Sequence, residues 1–294
     1  VKTTQGDLSA GALLLAPGHS ARDTYHYLIK QNYAIEAKPM SVGVRVEHLQ
    51  TDIDRALYGD FAGHPNLGPA EYALSDTKGK RGVYTFCMCP GGFIVPASTG
   101  EKEIVVNGMS PANRNSKFAN SGIVVEIRPE DFTEGELSEY KKYGVLAGLK
   151  FQEDYERLSF ENGVGEKAIA PAQKLADFVR GRKTEFMPTT SYLPGLKISN
   201  IHEWMPDFIC RRMQEGFKLF DNKMKGFLTN NATIIGVESR TSSPIRIPRD
   251  PETLQHIRIK GLYPCGEGAG YAGGITSSAV DGERCAEAIA GVSC

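Results

Sequence analysis

The chemistry-bearing residues of this 294-residue chain gather near its C-terminus, in Gly261-Leu-Tyr-Pro-Cys-Gly-Glu-Gly-Ala-Gly-Tyr-Ala-Gly-Gly-Ile-Thr-Ser-Ser-Ala-Val-Asp-Gly282. Five glycines fall between Pro264 and Gly274, and glycine lets a backbone approach a ligand closely or reach positive φ. A helix that begins at 273–275 presents amides without intrahelical partners, and its dipole favours negative charge there. Glu267 is placed to bond a sugar-like hydroxyl. The alternative is a glycine turn that packs a helix tightly on a sheet.

Other candidates are weaker. Cys87 and Cys89 share a predicted strand and are expected on one face of it, either as redox or substrate-facing thiols or as small buried hydrophobes. His19, in a turn with Gly18, is a ring-edge donor or a turn-stabilising group. Arg240-Thr-Ser-Ser-Pro-Ile-Arg246 offers two cations and three hydroxyls, for an anionic group or for capping local backbone. Arg45 and Glu47 share a strand face as an ion pair or a surface stripe, with His48 on the other face. Tyr271 covers a ring or packs; Trp204 reads as core.

The elements that must position these residues fall into two styles. At the start, 12–16 (ALLLA) reads as a buried parallel strand ending in Pro17-Gly18, and Ser20 as the N-cap of a helix over 22–31. At the end, 257–263 reads as an extended approach and 275–290 as a helix with small residues on one side. Between them, strands are predicted at 42–47, 82–88, 93–96, 103–107 and 123–127, and helices at 51–57, 149–161, 172–178 and 206–220. Segments 60–81 and 180–197 read as surface excursions. The expected fold is α/β with an α+β insert. Residues 1–37 and 261–294 form one discontinuous domain, and 38–260 an inserted substrate domain of mainly antiparallel strands.

Bulk properties bound the function. Apolar residues are 40% and charged residues 23%, with a formal net charge of -1, which argues against nucleic-acid or anionic-membrane partners. No apolar run reaches the roughly 20 residues needed to span a bilayer. Six cysteines without a CxxC pair or clustered histidines suit neither a disulfide scaffold nor a zinc site, so no metal and a cytoplasmic location are expected. Hydrolase and kinase motifs are not found.

The string Gly266-Glu-Gly-Ala-Gly-Tyr-Ala-Gly-Gly-Ile275 resembles the closing flavin motif of glutathione-reductase-like FAD proteins. With Ala16-Pro-Gly-His-Ser-Ala-Arg-Asp-Thr24, Val42-Gly-Val-Arg-Val-Glu-His48, Arg81-Gly-Val-Tyr-Thr-Phe-Cys-Met-Cys-Pro-Gly-Gly92 and Glu238-Ser-Arg-Thr-Ser-Ser-Pro244, nearly the whole chain is similar to a bacterial family of uncharacterised FAD-dependent dehydrogenases. The resemblance implies a Rossmann-like FAD domain split around the insert. It implies flavin contacts from Gly18, His19, Gly266, Glu267, Gly268, Gly270, Tyr271, Gly273, Gly274 and Ile275. Where many relatives have Ala-Thr-Gly this chain has Ala16-Pro17-Gly18, which removes a hydroxyl.

Such a family opens with a strand and GxGxxG, followed by an acidic residue about 20 positions on. No such motif lies near the start, so the expectation is a fragment lacking the N-terminal phosphate-binding half. Such a piece would bind FAD weakly or be empty, and would self-associate through exposed remnant strands. The intact protein would transfer a hydride between an unknown small-molecule substrate and flavin, with NAD(P)H a candidate electron donor and Arg240, Ser242 and Cys87 the substrate-side candidates. The rival readings are a non-catalytic module of flavoprotein fold and a nucleic-acid-modifying flavoprotein.

Overall fold

The protein is described by a computed structural model covering residues 2–78, 81–165 and 168–291. Cys294, one of the six cysteines, lies outside the described residues. In chain order, two-residue strands β1 (Lys2–Thr3) and β2 (Gly6–Asp7) precede β3 (Leu13–Leu15), α1 (Arg22–Lys30), β4 (Glu36–Ala37), β5 (Met40–Leu49) and α2 (Gln50–Tyr58). Then come β6 (Ser75–Asp76), β7 (Val83–Cys89), β8 (Phe93–Pro96), β9 (Val106–Met109), β10 (Phe118–Ile127) and α3 (Ala147–Asn162). The remainder is β11 (Ala170–Lys174), α4 (Leu175–Arg180), β12 (Leu196–Ile198), α5 (Ile201–Trp204), α6 (Asp207–Lys223), β13 (Thr233–Glu238), β14 (Ile245–Arg246), β15 (Leu262–Pro264) and α7 (Ile275–Ala290).

Contacts divide the chain into two compact units: 1–40 with 128–150 and 240–294, and 41–127 with 151–239. Segments 128–150 and 240–260, read from sequence as part of the insert, thus cluster with the chain termini.

The second unit is built on a seven-stranded sheet ordered β12-β11-β13-β5-β10-β7-β6. β6 with β7, β7 with β10, β5 with β13 and β13 with β11 pair antiparallel, whereas β11 and β12 are parallel. β5 is central and buried over nearly its full length, because elements cover both of its faces. An aromatic core forms where α4 and α6 meet: Phe227 stands 6.3 Å from Phe217, 5.9 Å from Phe220 and 4.7 Å from the His48 ring. On α6 the helical spacing works as read, burying Ile209, Met213, Phe217 and Phe220, while Phe208 lies under the Arg81 guanidinium.

The first unit holds the two-stranded parallel sheet β3–β15, in register Leu13↔Leu262 to Leu15↔Pro264. The 12–16 strand is therefore parallel as expected but not buried: Leu13 is 39% and Leu14 41% exposed, since β15 is its sole strand neighbour among the described residues. Tyr25 and Leu28 of α1 pack with Leu149, Ile245, Ile247 and Ala269.

Four further readings are corrected. Ser20 does not cap α1; Ala21 occupies that position without a side-chain bond. Segment 172–178 is a strand followed by a helix, because a short buried apolar run does not distinguish the two. The approach at 257–263 is mostly turn, with a strand only from Leu262, and the strand expected at 103–107 starts at Val106. Strand β13, buried throughout, was not anticipated.

Candidate functional site

The site is built in the first unit, where β15 delivers the chain into the glycine loop and α7 takes it away. Leu13 N–H donates to Gly261 O and Cys265 N–H to Leu15 O, so the two strands run together up to the loop. A Cβ placed on Gly268 would stand 2.4 Å from the Gly18 carbonyl oxygen, which no side chain tolerates. The two loops are therefore in backbone contact. Tyr25, fully buried, donates its hydroxyl to Gly268 O at 3.0 Å, and burial pushes its phenol up to about 12. His19 Nδ1 lies 3.0 Å from Glu267 Oε1. Gly18, His19, Glu267 and Gly268 are thus brought together.

An arginine clamp secures the base of this loop. Arg249 Nη1 donates to Pro264 O (2.7 Å), Asp281 Oδ2 (3.0 Å) and Cys285 Sγ (3.2 Å), and Nη2 to Asp281 Oδ1 (2.5 Å). Asp281 also accepts the Gly266 N–H at 2.7 Å. Burial alone would raise the Asp281 carboxyl, but bonds from Arg249 and Gly266 outweigh it and hold it below the usual carboxylate range. The Arg249 guanidinium lies 3.8 Å from the Tyr271 ring centroid, and its backbone N–H donates to the Tyr271 hydroxyl. Arg246 approaches the same ring at 5.2 Å. Tyr271 is thereby committed to two arginines.

The clamp also gathers Cys265, Asp281 and Cys285, whose donor atoms lie within 4.8 Å of one another. The two thiols stand 20 positions apart, so no ligand-spacing rule points to them. Arg249 bonds Asp281 and Cys285 directly, which puts a guanidinium where a cation would otherwise sit. Burial raises both thiols, that of Cys265 to about 12, so neither supplies a thiolate readily.

Beyond the clamp the loop opens. A Cβ on Gly273 or Gly274 would meet nothing within 4 Å, and Ile275, the first residue of α7, is 93% exposed. A recess of about 620 Å³ lies here, bounded by Tyr271, Gly273, Gly274, Thr276 and Arg284. Ser277 Oγ accepts from Gly273 N–H and donates to Gly274 O, which pins the turn without filling the recess. The head of α7 therefore presents first-turn amides and an apolar side chain to open space.

The substrate-side candidates separate. Arg240 Nη1 donates to Ser20 Oγ at 3.1 Å, beside the Gly18 loop, and Ser242 is half-buried in the same unit. Ser243, not singled out from sequence, bonds Ile245 O and approaches the Tyr25 hydroxyl at 3.4 Å. No motif in the sequence marks Lys38. It is half-buried, and burial followed by Arg246 lowers its pKa while Glu267 opposes them.

Cys87 belongs to the second unit, and there the expectation for the thiol pair is corrected. Two residues of β7, Cys87 and Met88, stand opposite Ser121 alone, a bulge, and Cys87 has φ of 45°. The bulge breaks the alternation that would place both thiols on one face. Cys87 is exposed, whereas Cys89 Sγ lies 3.9 Å from Arg45 Nη1. Arg45 and Glu47 form neither a mutual pair nor a surface stripe. Arg45, fully buried, bonds Glu238 (2.7 Å), Asn120 Oδ1 (2.7 Å) and Cys87 O. Glu47 takes Ser191, and burial raises its pKa. Trp204 is half-buried, its Nε1 on Ser199 Oγ.

Comparison with known proteins adds two findings. A family model described as "FAD-dependent protein, C-terminal domain-like" matches residues 39–241. A protein of Clostridium beijerinckii, described as uncharacterised, is 43% identical over 289 residues, which are 96% of this chain and 52% of that protein. The chain thus spans about half the length of this relative.

Proposed function

Since the chain belongs to the family described as FAD-dependent protein, C-terminal domain-like, we propose that its first unit is the ring-facing part of an FAD site in an oxidoreductase. The observation that carries this is the open head of α7: Gly273 and Gly274 bare of neighbours, with Ile275 93% exposed. A flat ring laid there would cover Ile275 and receive the first-turn amides without displacing any side chain, so the residues present fit the group.

In this reading the amides and dipole at the head of α7 favour negative charge at the ring's pyrimidine edge. Glu267, held by His19, faces a ribityl hydroxyl, and Gly18 and Gly268 allow close approach. Arg249 and Asp281 fix the loop rather than touch the cofactor. Tyr271, held by Arg246 and Arg249, walls the recess rather than closing over it. When bound, FAD supplies hydride acceptance and donation, with NAD(P)H as a donor; Arg240 and Ser242 are placed on the substrate side. The sheet β3–β15, with one edge of β3 unpaired among the described residues, belongs to a Rossmann-like domain. Its phosphate-binding half would come from the part of the longer relative that this chain does not span.

The test is an absorption spectrum of two purified proteins: the 294-residue chain, and the same chain preceded by the additional half found in its longer relative. The reading predicts flavin absorbance near ~450 nm in the longer protein and little or none in the shorter. A longer protein that is folded and colourless, and stays so after incubation with FAD, would sink it.

A further inference from the structure

The first unit holds another recess, of about 320 Å³, walled by Pro129, Phe132, Val145 and Pro244. Its lining is apolar apart from Thr133 and two lysines, Lys38 and Lys141, and contains no acidic side chain. Lys38 is fixed on its rim, for its backbone N–H is bonded to Pro244 O at 2.9 Å. Its ammonium makes no hydrogen bond and no ion pair among the described residues. The Glu267 carboxylate acts on it only through space, without a bond, and is outweighed by burial and Arg246, so a ligand that brings a bonded countercharge is favoured. Small-molecule sites of this size take that form, with apolar walls and one or two convergent polar groups that fix orientation.

We propose that this recess binds a small apolar monocarboxylate, its carboxylate on the Lys38 ammonium and its hydrocarbon body among Phe132, Val145, Pro129 and Pro244. A monoanion suits the site better than a phosphate dianion, which would bring a second charge and a stronger hydration shell against apolar walls. The recess is lined by residues other than those of the Gly266–Gly274 loop, and its binding is read without FAD, so its failure is distinguishable from failure of the flavin reading.

Benzoate is the probe, with benzyl alcohol as its uncharged counterpart, each titrated into the 294-residue chain by calorimetry. Benzoate should saturate a single site, with benzyl alcohol at least tenfold weaker. Lys38→Met should weaken benzoate at least tenfold with an unchanged circular dichroism spectrum, and Val145→Trp, which fills the recess, should abolish binding. The proposal is overturned if benzoate shows no saturable binding, if benzyl alcohol binds equally well, or if Lys38→Met binds benzoate as tightly as the parent. Should Lys38→Met not fold, the comparison of the two probes on the parent chain still decides the matter.

Discussion

Environment divides residues of one type into different roles. Cys87 is exposed, while Cys210, Cys265 and Cys285 are buried, with burial pushing Cys210 up to about 11 and Cys265 to about 12. A thiol reagent under native conditions should therefore modify Cys87 first, and these three only as the chain unfolds. Mass mapping checks this, and equal early labelling of Cys265 would contradict the burial. His48 makes the corresponding argument for pH. Its Nε2–H donates to Phe227 O at 2.7 Å, and its Nδ1 is buried without a partner. Burial lowers its pKa from 6.5 to about 4. The unfolded chain therefore binds the proton more readily. Stability is full above about 6.5 and is lost as pH falls towards 4, by up to about 3 kcal/mol at ~1.4 kcal/mol per unit. Urea midpoints across that range should fall, and His48→Gln should flatten the slope.

Single contacts join whole elements in the first unit. Arg249 ties the end of β15, the Gly266 turn and α7 together through Pro264 O, Asp281 and Cys285. Arg249→Met would leave Asp281 buried and unpaired, which costs about 3–5 kcal/mol. The melting temperature should drop accordingly, and an unchanged value would mean that the clamp is ornamental. These elements differ in how far the chain announces them. The spacing of Phe217 and Phe220 marks α6, and the glycine-to-helix string marks α7, because local pattern decides both. Strand β13 and the split of 172–178 escape notice, because their apolar runs are buried on all sides and carry no period. The Arg45–Glu238 and Arg249–Asp281 pairs join residues 193 and 32 positions apart, so only the folded backbone reveals them. Lys38 was invisible for another reason: an isolated lysine acquires meaning only from the apolar recess around it.

At the scale of the molecule, the second unit closes its own core around a seven-stranded sheet, whereas the first leaves Leu13, Leu14 and the head of α7 uncovered. Apolar surface on a parallel strand and an apolar side chain at a helix head both call for something to lie over them. Among the described residues no helix is long and apolar enough to cross a membrane. In the proposed function a ring covers Ile275 and the other half of a longer protein covers β3.

The most direct test is Gly274→Val in that longer protein. Gly274 is extended, with φ of 178°, and a Cβ there meets nothing within 4 Å, so the substitution should leave the melting temperature of the flavin-free protein unchanged. It should reduce FAD affinity at least tenfold, measured by quenching of flavin fluorescence, because the valine would occupy the space assigned to the ring. Undiminished FAD affinity in a folded Gly274→Val protein would contradict the placement of the flavin at the head of α7.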